Sequence, residues 1–393
     1  MAKQAFTGAR IFDGAEWHDH MALVVADGKV EGLIAADSPT DAIRVPADGA
    51  MIVPGFLDLQ VNGAGGALLN DTPTLDAIRT ICATLAQFGC TGCLPTLITD
   101  TVPKNEAVIA AGVTATDQHV PGFLGLHLEG PHLSIARKGA HDPALIRPMD
   151  EADLQRLLAA KRALPTLLIT VAAETVGPEQ ISRLAAAGIV VSIGHSDATY
   201  VQVAAAVEAG ASMATHLFNA QSQIGNREPG LVGAVLDLPG LDAGLIADGI
   251  HVHPASIGIA LRAKRGPSQI FLVSDAMSIT GTDWTEFELT GRTVYRKDGA
   301  LRLADGTLAG ADLAMIDAIR YVHQTIGVPL DEALRMASLY PARAIHAEAD
   351  RGHLTQGARG DFAVLTDDLK VRSTWIAGRG CTAPPRTSRS RRI

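Results

Sequence analysis

The sequence predicts an α/β fold, a (β/α)8 barrel with a small β-sandwich domain formed by the N- and C-terminal segments. Three observations predict it. Eight apolar runs alternate with helical segments from residue 51 to residue 275, which favours a barrel over an open doubly wound sheet. Residues 189–219 read as strand, helix, strand, and the two strands end in His195 and His216. Both chain ends carry short alternating strands broken by turn residues.

Residues 5–37 hold the Asp13-Gly14 and Asp27-Gly28 pairs that mark hairpins. Residues 361–380 have the same texture. The two ends are expected to pair, giving a small β domain from 1–50 and 357–380 around a barrel spanning 51–356. The Pro-, Ser- and Arg-rich tail 381–393 is expected to be disordered. The barrel strands are expected at 51–58, 91–97, 123–129, 167–172, 189–195, 212–217, 243–247 and 270–275. A helix over 199–209, closed by Gly210, joins the two histidine strands. Residues 276–310 read as a hairpin excursion, followed by a helix from about 311 to 325. A long segment after the last strand lies at the mouth of a barrel, where function concentrates.

Composition narrows the partners. The 393 residues carry a net charge of -9, with 47% hydrophobic and 4% aromatic residues. That charge argues against nucleic acid as the main partner. No apolar run is long enough for a membrane span, and Met1-Ala2-Lys3 leads straight into strand-like sequence. A cytoplasmic location without membrane partners is expected. No glycine-rich phosphate loop follows the first strand, so a nucleotide fold has no support. Cys90-Thr91-Gly92-Cys93 has no second pair at zinc spacing; with Cys82 and Cys381 these cysteines are read as reduced and structural.

A strand, crossover helix and parallel strand bring both C-terminal ends to one side of a sheet, so His195 and His216 face one mouth. The bland alternative is two core histidines capping buried strands. His127-Leu128-Glu129-Gly130-Pro131 ends the third strand. A buried carboxylate there is costly without a cation or a partner. Glu129, His195 and His216 offer one oxygen and two nitrogens and leave a position for water, the pattern of a catalytic site. His127 is a fourth candidate, with a supporting or core position the stronger reading. Asp275 ends the last strand and is either a loop cap or a general base. His141, in Lys138-Gly139-Ala140-His141, either faces solvent or polarises a substrate oxygen. Arg227, His251 and the turn after His216 could hold a phosphate or carboxylate.

Together these motifs resemble the N-acetylglucosamine-6-phosphate deacetylases of the amidohydrolase superfamily. The matching pieces run in order from Pro54-Gly55-Phe56-Leu57-Asp58 through Thr215-His216-Leu217-Phe218-Asn219-Ala220, Arg227-Glu228-Pro229-Gly230 and Ser274-Asp275-Ala276 to Leu308-Ala309-Gly310. The resemblance implies one divalent metal per subunit on Glu129, His195 and His216, with Zn expected and Fe, Co or Mn also suited. It implies Asp275 as base and then acid. Ala140 and His141 would meet the acetamido group, Asn219, Ala220, Arg227 and His251 the sugar phosphate, and Leu308, Ala309 and Gly310 the pocket wall. It also implies a homodimer or homotetramer, in which Arg227 or His251 reaches a neighbour's site. The implied reaction is deacetylation of an amino-sugar phosphate. Alternatives are the galactosamine epimer as substrate, or a sugar-phosphate sensor without catalysis. Two departures stand out. Gln60-Val61-Asn62 replaces the His-x-His of two-metal relatives, and His132 stands where an aromatic is common. The second leaves a weak second metal site conceivable. Gln221 also replaces a common Met.

Overall fold

A computed structural model describes residues 2–381; apart from Cys381, the tail expected to be disordered lies outside the described residues. Eight parallel strands follow one another around a barrel in chain order: Phe56–Val61, Cys90–Ile98, Gly125–Glu129, Thr166–Val171, Val190–Ile193, Met213–Ala214, Asp242–Leu245 and Ile270–Leu272. Helices cover the outside, so both faces are dry and the strands read as continuous apolar runs. Cys90–Ile98 is buried along its whole length. The seam between the first and last strands closes just beyond Leu272. Asp275 N–H donates to the Gln60 carbonyl at 3.0 Å and Asn62 N–H to the Ala276 carbonyl at 2.9 Å. Asp58 Oδ1 adds a bond from Ser274 N–H at 3.1 Å.

The run expected as one strand over 51–58 is two strands. Met51–Pro54 pairs with Phe362–Leu365 and with Arg10–Phe12 in a terminal sheet, and Phe56–Val61 starts the barrel. Gly55 makes the change of sheet possible, because a Cβ there would lie 2.2 Å from the Thr91 side chain. Both halves are buried, and Met51–Pro54 and Phe56-Leu57 are apolar on either side of Gly55, so hydrophobicity alone does not mark the break.

The two ends of the chain do meet. Six strands, from Trp17–His18 to Arg379–Gly380, form one sheet, and Gln4–Thr7, Met21–Ala26, Lys29–Ala35 and Ile43–Pro46 form another. Phe6 sits between them, with ring centroids 4.8 Å from Phe362 and 4.7 Å from Trp375. Edge-to-face rings of this kind add to plain burial.

The crossover helix is Tyr200–Glu208, opened by a capping box between Thr199 and Gln202. The excursion after the barrel is a four-stranded antiparallel sheet over Glu286–Leu289, Arg292–Lys297, Ala300–Leu303 and Leu308–Ala311. Phe287, Leu289, Val294 and Leu301 bury one face of it against Met277 and Ile279 at the mouth. Because Leu308–Ala311 is a strand, the next helix starts at Met315 rather than near 311. Cys82, Cys90 and Cys93 are buried free thiols. Among the described residues no helix is long and apolar enough to cross a membrane.

Candidate active site

A cavity of about 350 Å³ opens at the C-terminal ends of the strands. Glu129, His195, His216 and Asp275 line it, together with Ala140, His141, Asn219, Ala220, His251 and Leu308–Gly310. Four of these residues hold backbone that L side chains rarely adopt: φ is +46° at His195, +30° at His216, +48° at Ala220 and +50° at Asp275. Each costs roughly 1–3 kcal/mol and persists only where the surroundings enforce it. The cost recurs where strands turn sharply to aim a side chain inward.

Glu129 Oε1 lies 3.1 Å from His216 Nε2 and 3.3 Å from His195 Nε2, and the two imidazole nitrogens are 3.1 Å apart. A tetrahedral cation with ligands at ~2.0 Å has edges of about 3.3 Å, so this triangle fits one. Tautomers support the fit. His195 Nδ1 sits 2.8 Å from the Arg137 carbonyl, which only accepts. Nδ1 therefore carries the proton and Nε2 presents its lone pair to the triangle. Burial opposes the charge of Glu129, but its contacts with the His195 and His216 rings hold it well below the usual carboxylate range. For His216, burial is outweighed by Glu129, and its pKa is raised.

His141 also approaches the triangle, with a ligand-type atom within 4.8 Å of those of Glu129 and His195. Its Nδ1 is bonded to Thr99, 2.8 Å from Oγ1 and 3.3 Å from the backbone nitrogen. Burial first, then the neighbouring His195, pushes its pKa well below the ordinary value.

Asp275 faces this group from the barrel seam. Asn62 Nδ2 donates to its Oδ1 at 2.7 Å, and Gln60 Nε2 reaches Oδ1 at 3.4 Å and Glu129 Oε1 at 3.1 Å. Gln60 and Asn62 thus serve as amide donors that tie the two carboxylates. Burial, then the like charge of Glu129, raises Asp275 to about 6. Such a group can take a proton near neutral pH. Deeper in the barrel Asp58, fully buried, is pushed up to about 7 by desolvation.

The remaining expected residues divide. His251 is fixed by its Nδ1 on Asp248 Oδ2 at 2.6 Å. The excursion sheet is tied to the Lys138–His141 loop by Arg292, which donates to the Ala140 carbonyl. Arg227 is exposed and absent from the cavity wall. His127 lies between the Thr96 and Thr170 hydroxyls, at 3.3 and 2.7 Å, beneath the triangle. His132 turns away. Its Nδ1 bonds the Arg147 carbonyl at 3.1 Å and its ring faces Asp153, so it offers nothing to a second metal beside Glu129. Gln221 bridges its own loop, donating to the Thr215 carbonyl at 2.7 Å and accepting from Phe218 N–H at 3.0 Å. The sequence pointed to neither Thr99 nor the donor role of Gln60. The only local sign of Thr99 is a hydroxyl directly after a nine-residue buried strand.

The amidohydrolase family model matches residues 51–380. The chain is 42% identical to an N-acetylgalactosamine-6-phosphate deacetylase of Shewanella sp. (strain ANA-3) over 374 residues, 94% of each chain. It is 35% identical to an N-acetylglucosamine-6-phosphate deacetylase of Haemophilus influenzae, covering 91% of this chain and 93% of that one. The crystal structure of N-acetylglucosamine-6-phosphate deacetylase from Pasteurella multocida superposes with a TM-score of 0.93 at 34% identity, covering 97% of this chain and all of the other. A family model that spans the whole barrel, and relatives alike from end to end, agree with the site's geometry: this chain belongs to the amidohydrolase family.

Proposed function

We propose that the protein hydrolyses N-acetyl-D-glucosamine 6-phosphate to D-glucosamine 6-phosphate and acetate. The observation that carries this reading is Asp275 facing the Glu129–His195–His216 triangle across a substrate-sized cavity. Glu129, His195 and His216 would hold one divalent cation, Zn being the first choice for an oxygen–nitrogen–nitrogen set. Bound there, such a cation would polarise the acetyl carbonyl and lower the pKa of water. Asp275 accepts the proton of the attacking water. As the C–N bond breaks, Asp275 returns that proton to the amine, and acetate departs. His141 donates to the oxygen that gains charge. His251 and the Asn219–Ala220 turn receive the phosphate, and Leu308, Ala309 and Gly310 pack against the sugar.

Arg227 we assign to the phosphate of a neighbouring subunit's site in a homodimer or homotetramer, since it is exposed and does not line its own cavity. The free thiols suit the cytoplasm, where the product would feed amino-sugar breakdown or cell-wall recycling. The 42% identical relative named for the galactosamine epimer favours a second reading with that substrate.

The test is acetate release by zinc-loaded protein from the two epimeric 6-phosphates and from unphosphorylated N-acetylglucosamine. Release from a phosphorylated sugar alone is expected, and the faster epimer is the substrate. Equal rates without phosphate would remove the anion site, and no release from any would remove the deacetylase. Asp275→Asn is expected to bind substrate and metal but lose about a thousandfold or more in kcat. Arg227→Ala is expected to raise KM for the phosphorylated sugar about tenfold or more with kcat nearly kept; an unchanged KM removes it from the site.

A further inference from the structure

We propose that Thr99 is a positioning residue for this reaction: it donates to Nδ1 of His141 and so holds the ring in the tautomer that carries its proton on Nε2, towards the cavity. The inference rests on the deacetylase reading for its kinetic consequence, not for its geometry. A backbone N–H can only donate. Thr99 N–H, 3.3 Å from His141 Nδ1, therefore requires an acceptor lone pair there. The Thr99 hydroxyl, at 2.8 Å, adds a second donor to the same lone pair. Its other neighbour, the Glu129 carbonyl, is farther away at 3.4 Å. In a neutral imidazole the proton must then sit on Nε2. No other hydrogen bond reaches this ring among the described residues.

The neighbouring ring is set the opposite way. His195 meets a carbonyl at Nδ1 and keeps a lone pair on Nε2. His141 meets an N–H at Nδ1 and presents a donor. The rings lie 4.3 Å apart, yet only His195 can give electrons to a cation. His141 is thereby kept out of the ligand set despite its closeness to Glu129 and His195, and is poised to hydrogen-bond a carbonyl oxygen. Position 130 protects the arrangement: a Cβ on Gly130 would lie 2.3 Å from the Thr99 hydroxyl oxygen.

Two measurements on zinc-loaded protein test this. In the first, nitrogen-15 spectra of histidine-labelled protein locate the proton of His141, its signals assigned by their loss in His141→Gln. Protonation at Nε2 is expected, and protonation at Nδ1 overturns the proposal even if no variant folds. In the second, Thr99→Val keeps the shape and the backbone donor but removes the hydroxyl. Its kcat is expected to fall on the order of 10- to 100-fold, as for other groups that orient a working histidine. KM and zinc content are expected to hold, and Thr99→Ser to restore most of the rate. A kcat equal to wild type, or equal losses in the Val and Ser variants, overturns it. If wild-type protein releases no acetate from either sugar phosphate, the deacetylase reading falls, while the spectra still decide the tautomer.

Discussion

Two buried clusters of carboxylate and histidine lie near the end of the third strand, one around Glu129 and the other taking in His132, three residues on, and their chemistry differs. Around Glu129, two imidazole nitrogens converge on one oxygen at 3.1 and 3.3 Å. Around Asp153, the proton donors are permanent. Arg147 meets both carboxylate oxygens, Arg156 Nη1 donates to Oδ1 at 2.8 Å, and Asp150 N–H donates to Oδ2 at 3.2 Å. His132 stands 3.9 Å from Oδ2, too far for a hydrogen bond, and burial lowers its pKa. The Asp153 cluster is complete as it is. In the Glu129 cluster the charge balance depends on protons that neutral imidazoles lack, so a cation fits the one and has no place in the other. Residue types alone do not separate such sites; the direction of lone pairs does.

The sharpest way to break this contrast is to remove one member of each cluster and add metal. Wild-type protein is expected to gain stability on adding zinc, about 4 kcal/mol when the free ion is a thousandfold above its Kd. In His216→Ala that gain is expected to vanish, with turnover down about a thousandfold or more. Calorimetry with and without zinc reads the first and acetate release the second. A variant that still gains the full increment shows that the cation sits elsewhere.

Asp153→Asn is the mirror image. It leaves two guanidinium groups, both partly in solvent, without their carboxylate, and is expected to cost roughly 1–3 kcal/mol of stability. The zinc increment and kcat are expected to survive. Loss of the increment would make the two clusters one unit.

Local pattern carried much of this molecule. Period-2 texture and Asp-Gly turns marked the terminal sheets, the segment 199–209 closed by Gly210 marked the crossover helix, and strand-end positions singled out His195, His216, Glu129 and Asp275. What the chain does not show locally is which polar groups meet across the barrel. Asn62 reaches Asp275 across 213 positions, and Gln60 reaches Glu129 across 69. The strand break at Gly55 was hidden because burial is complete on both sides. His132 looked like a spare ligand for Glu129 because nearness in sequence does not say where a ring turns. Arg147 and Asp153, which occupy it, lie 15 and 21 residues downstream.

His132→Phe gives the smallest effect and the finest test of that turn. The imidazole donates Nδ1–H to the Arg147 carbonyl at 3.1 Å. Losing that bond is expected to cost about 1 kcal/mol at pH 7, with kcat and the zinc increment unchanged. The pH dependence carries the sign. Burial lowers the folded pKa of His132 below its ordinary 6.5, so below pH 6.5 the unfolded chain binds more protons at this residue than the folded one. The wild type then loses stability from this source as pH falls. Phenylalanine has no proton to bind, so the variant escapes that loss. Its deficit at pH 7 is expected to shrink towards pH 5, as seen by urea unfolding at both values. A deficit that grows on acidification would mean that His132 gains a proton in the fold and pairs with Asp153 after all. The second cluster would then resemble the first in drawing on histidine protons.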